Sequence, residues 1–246
     1  MTARHWQRPT TFAWILTAFG VAAFCALGLW QVDRAAQKRQ LFAAFANAAG
    51  SPTLDFAQAT AAARDAQRYP HLRVTGHYLP DRGYWLDEQF SGNRIGVHAI
   101  GAFAIDGQPD LLLVDRGWVA WEHLPKTAPI APALPAGEMA LTGLYAPFPG
   151  GGLRLGGDAL PGQATWPKLT LFLDAKAIAV DLGVAVQPRM LLLDPEPGSV
   201  FVRVWKPQVF PPERHIGYAF TWFCFAAVAV AMLVVKHWTK VEKRST

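Results

Sequence analysis

The chain has 246 residues, 52% of them hydrophobic and 17% charged, and a formal net charge of +5. The excess sits in the tails: Arg4 and Arg8 lead, Lys236, Lys240, Lys243 and Arg244 trail against Glu242 alone, and the segment between holds 17 basic and 17 acidic residues. That balance denies the central segment the basic face a nucleic-acid reader needs, and its lack of cysteine excludes a disulfide framework or thiolate metal site there.

Two apolar runs, Thr11 to Trp30 and Ile216 to Val235, each hold 20 residues without a charge. That is the length a helix needs to cross about 30 Å of hydrocarbon. The first run is too long for a signal peptide's apolar region, and Phe24 beside Cys25 spoils both a small-residue cleavage site and a lipoprotein site, so an uncleaved anchor is expected. The basic tails place both termini in the cytoplasm. The chain therefore divides into a cytoplasmic N-terminus (1–10), a first transmembrane helix (11–30), an extracytoplasmic domain (31–215), a second transmembrane helix (216–235) and a cytoplasmic C-terminus (236–246). Cys25 and Cys224 fall inside the two runs and read as small apolar helix residues.

Beyond Trp30 the helical pattern continues through Arg34, Lys38, Leu41, Phe42 and Phe45, so one long helix is expected to end near Gly50-Ser51-Pro52. An Ala-rich helix follows, from Phe56 to Gln67. The texture then changes to strands: His71 to Leu79, Gly83 to Gln89, and two strands within Val97 to Trp121 joined by the turn Asp106-Gly107-Gln108-Pro109. Met139 to Ala146, Leu169 to Asp174, Met190 to Asp194 and Val200 to Trp205 are further strands, and Ala175 to Leu182 a short helix. Lys126 to Glu138 and Pro147 to Gly152 are loops. The expected class is an α+β membrane protein, two transmembrane helices flanking a mainly antiparallel β domain shaped as a curved sheet or partial barrel.

His215 stands directly before the second run, at the outer interface. On a helix, His215, Tyr218, Ala219, Trp222 and Ala226 share one face. A neutral imidazole is a good axial ligand for haem iron, and a small Ala219 with flat Tyr218 and Trp222 leaves room for a porphyrin. The same residues also describe an aromatic interfacial belt with His215 capping the helix, and spacing alone favours the belt. Arg116, beside Asp115, reads as one half of a local ion pair fixing a turn, with Gly117 allowing an unusual backbone; the other reading has it hold a propionate or a partner's carboxylate. Trp30, Gln31, Arg34 and Lys38 pose a similar choice, between snorkelling to lipid phosphates and gripping the anionic edge of a cofactor alongside His215.

His71, His77, His98 and His123 show no metal-ligand spacing and read as solvated or core-edge histidines. There is no Gly-x-Ser-x-Gly elbow. The glycine-rich run Gly150 to Gly157 follows a proline turn rather than a strand, and no Ser or Cys nucleophile with a base is in view, so an enzyme is not expected.

Five stretches resemble the surfeit-locus (Surf/Shy) family of cytochrome oxidase assembly factors: Leu27 to Leu41, Val74 to Pro80, Leu111 to Val119, Leu171 to Asp194 and His215 to Phe223. The family more often has Asn at position 115 and Gln at position 221. The resemblance implies a two-pass protein of the bacterial inner membrane with a periplasmic domain, serving assembly of a haem-copper oxidase. It implies transient binding of haem a and delivery to the large oxidase subunit, with haem a synthase as a second candidate partner. The family's haem-ligating histidine falls on His215; from their placement around it, Tyr218 and Trp222 are expected to line the ring and Arg34 or Arg116 to lie near the propionates. The rival expectation is a membrane-anchored scaffold that stabilises assembly intermediates without touching haem. A third, an enzyme acting on a periplasmic substrate, requires a convergent polar pocket in the domain.

Overall fold

The computed structural model describes residues 4–48, 50–65, 68–120, 132–149, 160–205, 207 and 209–240. His123, the first part of the expected Pro-rich loop and the Gly150 to Gly157 run lie outside the described residues. Contacts divide the chain into one unit made of residues 1–41 and 210–246 and another of residues 42–209.

The first unit is built on two long helices, α1 (Thr11–Ala48) and α4 (Pro212–His237). At 1.5 Å per residue they are about 57 and 39 Å long. The Thr10 hydroxyl starts α1 by accepting from the Ala13 amide at 3.2 Å. Its end is tied by the Gly50 and Ser51 amides, which donate to Asn47 and Ala48, and Pro52 then forbids continuation. Both helices are long and apolar enough to cross a membrane, and their apolar stretches are almost wholly uncovered, 6% and 17% buried. They touch along a narrow seam. Ala219, Ala226 and Leu233, spaced by seven, are the buried residues of α4 beyond its first turn, and a Cβ on Gly28 would lie 2.6 Å from the Phe223 ring. Below the seam Phe24 stacks on Trp222, with centroids 5.9 Å apart. A short antiparallel pair that the sequence pattern does not announce, β1 (Arg4–Trp6) and β8 (Trp238–Lys240), joins the two ends.

The second unit is a six-stranded sheet. Its strands are β2 (His71–Ser91), β3 (Arg94–Ile105), β4 (Leu111–Ala120), β5 (Glu138–Pro147), β6 (Lys168–Thr170) and β7 (Arg189–Leu193). The order β3-β4-β7-β5-β2-β6, with a further β2–β3 pairing, closes five strands into a ring and leaves β6 beside β2. The pairing is mainly antiparallel, as expected, but not purely so: β4–β7 and β2–β6 run parallel. Apolar residues on one set of alternating positions, such as Leu72, Phe103, Leu112, Tyr145 and Leu191, form a cluster that takes a member from every strand of the ring. The other set, including Tyr84, Ile100, Leu113 and Met190, packs with Ile178 of α3 (Ala175–Leu182).

Several boundaries depart from expectation for local reasons. The strands expected at His71 to Leu79 and Gly83 to Gln89 are one bent strand: the ladder breaks between Tyr78 and Gly83, where Pro80 has no N–H to offer and Asp81 turns to φ +57°. The strand expected to reach Asp174 stops at Thr170, whose hydroxyl bonds both the amide and the carbonyl of Phe172. Asp174 instead caps α3 by accepting from the Lys176 and Ala177 amides. α2 (Phe56–Ala62) is shorter than expected, because Arg189 collects the carbonyls of Ala63, Asp65 and Arg68 just past its end. Val200 to Trp205 forms only a single bridge, Val202 with Trp118.

Candidate functional site

His215 lies inside the first turn of α4, not before it. Pro212, its φ already suited to a helix, begins the helix, and Pro211 is the N-cap residue without a side-chain bond. The expectation that His215 caps the helix therefore does not hold. Its Nδ1 is 2.7 Å from the side-chain oxygen of Gln31 on α1. Its Nε2 has no hydrogen bond among the described residues. One turn along, Tyr218 is 54% exposed, while Ala219 behind it is buried in the helix seam. Trp222 gives one face to Phe24 and meets Phe225 edge-on at 5.8 Å, so much of its ring serves helix packing. Thr221 bonds back to the Gly217 carbonyl at 3.0 Å.

Arg34 stands one turn beyond Gln31 on α1. It donates to Gln37 at 2.9 Å, Gln37 donates to Asp33 at 2.8 Å, and the Arg34 guanidinium lies 5.6 Å from the Trp30 ring. This chain of contacts on one exposed face keeps a cation at the same end of α1 as Gln31.

Arg116 belongs to the sheet unit and is buried. Neighbours on a strand point to opposite faces, so the expected Asp115–Arg116 pair is not made. Arg116 donates to the carbonyls of Pro132 and Ala133 at 3.0 and 3.4 Å and covers the Phe201 ring at 4.8 Å. Burial holds its guanidinium below the usual arginine range. Asp115 instead meets His98 Nδ1 at 2.8 Å and accepts from the Gly117 amide at 2.9 Å, while Gly117 takes φ +120°, the unusual backbone its glycine permits. Burial of His98 opposes its charge, but the Asp115 carboxylate, by its charge and its hydrogen bond, raises the imidazole above its ordinary value.

Two more polar clusters sit in the sheet unit. His71 joins Asp194 at 2.9 Å and the Thr53 hydroxyl at 2.9 Å. Lys168 pairs with Asp181, which also accepts from the Tyr84 hydroxyl at 2.9 Å. His71 and His98 are thus core-edge residues, and no cluster of three metal-ligating side chains occurs among the described residues. Arg116 lines two adjoining hollows of about 220 and 640 Å³, the smaller with Tyr84, Ile100 and Trp166, the larger with Tyr78, Phe201 and Arg203.

Gln31 was expected only as one of four residues able to snorkel or to grip a cofactor's edge beside His215; its direct contact with the imidazole carried no signal in the sequence. Asp181 lay outside the expected site altogether, being one acid on a short helix.

A family model described as the SURF1 family matches residues 18–227, most of the chain, from within α1 to Ala227 of α4. The chain belongs to the SURF1 family. A SURF1-like protein of Rickettsia bellii is 31% identical over 94 residues, an alignment covering 37% of this chain and 37% of that protein.

Proposed function

We propose that the protein is a two-pass membrane carrier, not an enzyme, that takes up haem a transiently and hands it to the large subunit of a haem-copper oxidase. His215 supplies the iron ligand through Nε2. The observation that carries this reading is the His215–Gln31 contact, 2.7 Å, which engages one imidazole nitrogen and leaves the other without a hydrogen bond among the described residues. A neutral imidazole with one open nitrogen is what iron needs. The donor set and its surroundings fit the cargo: exposed Tyr218 and the free part of Trp222 offer flat apolar surface beside the imidazole.

Arg34, exposed at the same end of α1, is the better partner for propionates. Arg116 spends its guanidinium on two loop carbonyls, which supports the turn-fixing role more. Uncovered apolar flanks on α1 and α4 call for lipid, and basic tails favour cytoplasmic termini with the sheet unit in the periplasm of a bacterial inner membrane. The partners are then the bilayer, the oxidase large subunit and, on the loading side, haem a synthase.

The test is a haem a titration of the full chain in nanodiscs, wild type against His215→Ala. Loss of the imidazole-ligated spectrum in the variant supports the reading. An unchanged spectrum removes it and leaves the scaffold that holds assembly intermediates without haem.

A further inference from the structure

We infer that Gln31 is the positioning residue of the His215 site: its amide oxygen fixes which imidazole nitrogen is bare and limits how strongly that nitrogen binds. The functional half of this inference rests on the carrier reading above; the tautomer half does not.

The side-chain oxygen of Gln31 only accepts hydrogen bonds, so at 2.7 Å the Nδ1 of His215 must be the donor. A neutral imidazole carries one N–H. With Nδ1 protonated, Nε2 presents its lone pair. A histidine free in water prefers the opposite tautomer, with the hydrogen on Nε2. Gln31 therefore reverses the default and ties the ring on α4 to α1 through one hydrogen bond. Removing such an outer partner from a metal-ligating histidine typically costs about 10–100-fold in affinity.

The chemical type of the acceptor matters as much as its place. A carboxylate behind Nδ1 would draw the proton toward itself, push electron density to Nε2 and make a stronger donor. An amide is neutral and polarises the ring weakly. A carrier must release its cargo, and a weak acceptor keeps the ligand exchangeable. Gln31→Glu should thus bind more tightly and let go more slowly, and Gln31→Leu should bind more weakly.

The experiment uses the full chain in nanodiscs with ¹⁵N-labelled histidine, and His215→Ala to identify the His215 signals. Without haem, the imidazole shifts of wild type should report Nδ1–H, and those of Gln31→Leu should move toward Nε2–H. Haem a titration should then give affinity about 10–100-fold lower for Gln31→Leu, and for Gln31→Glu a higher affinity with a lower haem reduction potential. Circular dichroism checks that each variant keeps its helices, and Gln31→Glu provides the test if Gln31→Leu fails to insert. The same tautomer in wild type and Gln31→Leu, or an unmoved potential in Gln31→Glu, overturns the inference. If His215→Ala keeps the haem spectrum, the carrier reading fails while the tautomer shift can still be seen. If His215→Ala loses haem but both Gln31 variants match wild type, the Gln31 inference alone fails.

Discussion

Replacing Asp181 by Ala should be among the most damaging single changes in the sheet unit. Asp181, on α3, meets Lys168 of β6 and accepts from the Tyr84 hydroxyl of β2 at 2.9 Å, so one carboxylate joins three elements. The Lys168 and Asp181 side chains are each only 10% exposed. Breaking a buried pair by deleting one partner costs about 3–5 kcal/mol, since the remaining charge is left in a poor solvent. Loss of the bond from the Tyr84 hydroxyl adds up to about 1 kcal/mol. Contact of the Lys168 ammonium with the Trp166 ring, 4.6 Å away, survives and offsets a little of this. The sum, about 4–5 kcal/mol, is a large part of a typical domain's stability. Asp181→Asn keeps an acceptor and should lose less, about half as much. The double change Lys168→Met with Asp181→Leu should recover most of the loss, because two apolar groups need no counter-charge. Chemical denaturation of the full chain in detergent, followed by tryptophan fluorescence, reads all three. A loss under about 1 kcal/mol in Asp181→Ala, or a double variant as unstable as the two single changes added, would refute the reasoning.

Stability should also depend on pH through His98. Its value is raised in the fold, so the stabilisation from the charged imidazole is fully present below its ordinary 6.5 and is lost as pH climbs through the raised value. The melting-temperature gap between wild type and His98→Gln should therefore narrow as pH increases over that window; a constant gap would show that the Asp115 contact does not hold the proton. Gly143→Ala tests the sheet: a Cβ there would run into the backbone carbonyl of Leu192 on β7. Since backbone rather than a flexible side chain is in the way, the change should cost about 1–3 kcal/mol in the same denaturation assay, and a neutral result would mean that the β5–β7 pairing is looser than it stands.

Elements set by short-range signals were legible in the sequence. The long helix ended near its Gly-Ser-Pro stop, α3 took its expected bounds because Asp174 and Gly183 cap it, and the turn at Gly107 joined β3 to β4 with φ +74°. What escaped was pairing between distant segments. The closure of β2 on β3 after a bend, the parallel contact of β7 with β4 and the joining of the chain's two ends in β1 and β8 depend on register, and a strand's alternation is the same whichever neighbour it meets. The site shows the same division. His215 was legible because a histidine at the edge of an apolar run is chemically conspicuous. Gln31 lies 184 residues from it, and nothing local in either segment encodes their contact.

The two units differ in what their polar groups do. In the sheet unit His98, His71, Lys168, Arg116 and Arg189 each meet a carboxylate or backbone carbonyls of the same unit, and each cost of burial is met by a partner that the fold supplies. Such groups fix structure and have little left to offer a ligand. Between α1 and α4 the balance is reversed. The imidazole of His215 has a partner on one nitrogen only among the described residues, beside an aromatic side chain that is half exposed. On the carrier reading proposed above, substitutions in the sheet unit should therefore act on how much folded protein there is, with haem affinity per folded molecule unchanged. Substitutions at Gln31 or His215, half-buried positions on the two long helices, should on the same reading act on affinity with the amount of protein unchanged. A sheet-unit variant that folds normally yet loses haem would break this division and move the binding chemistry away from the helix pair.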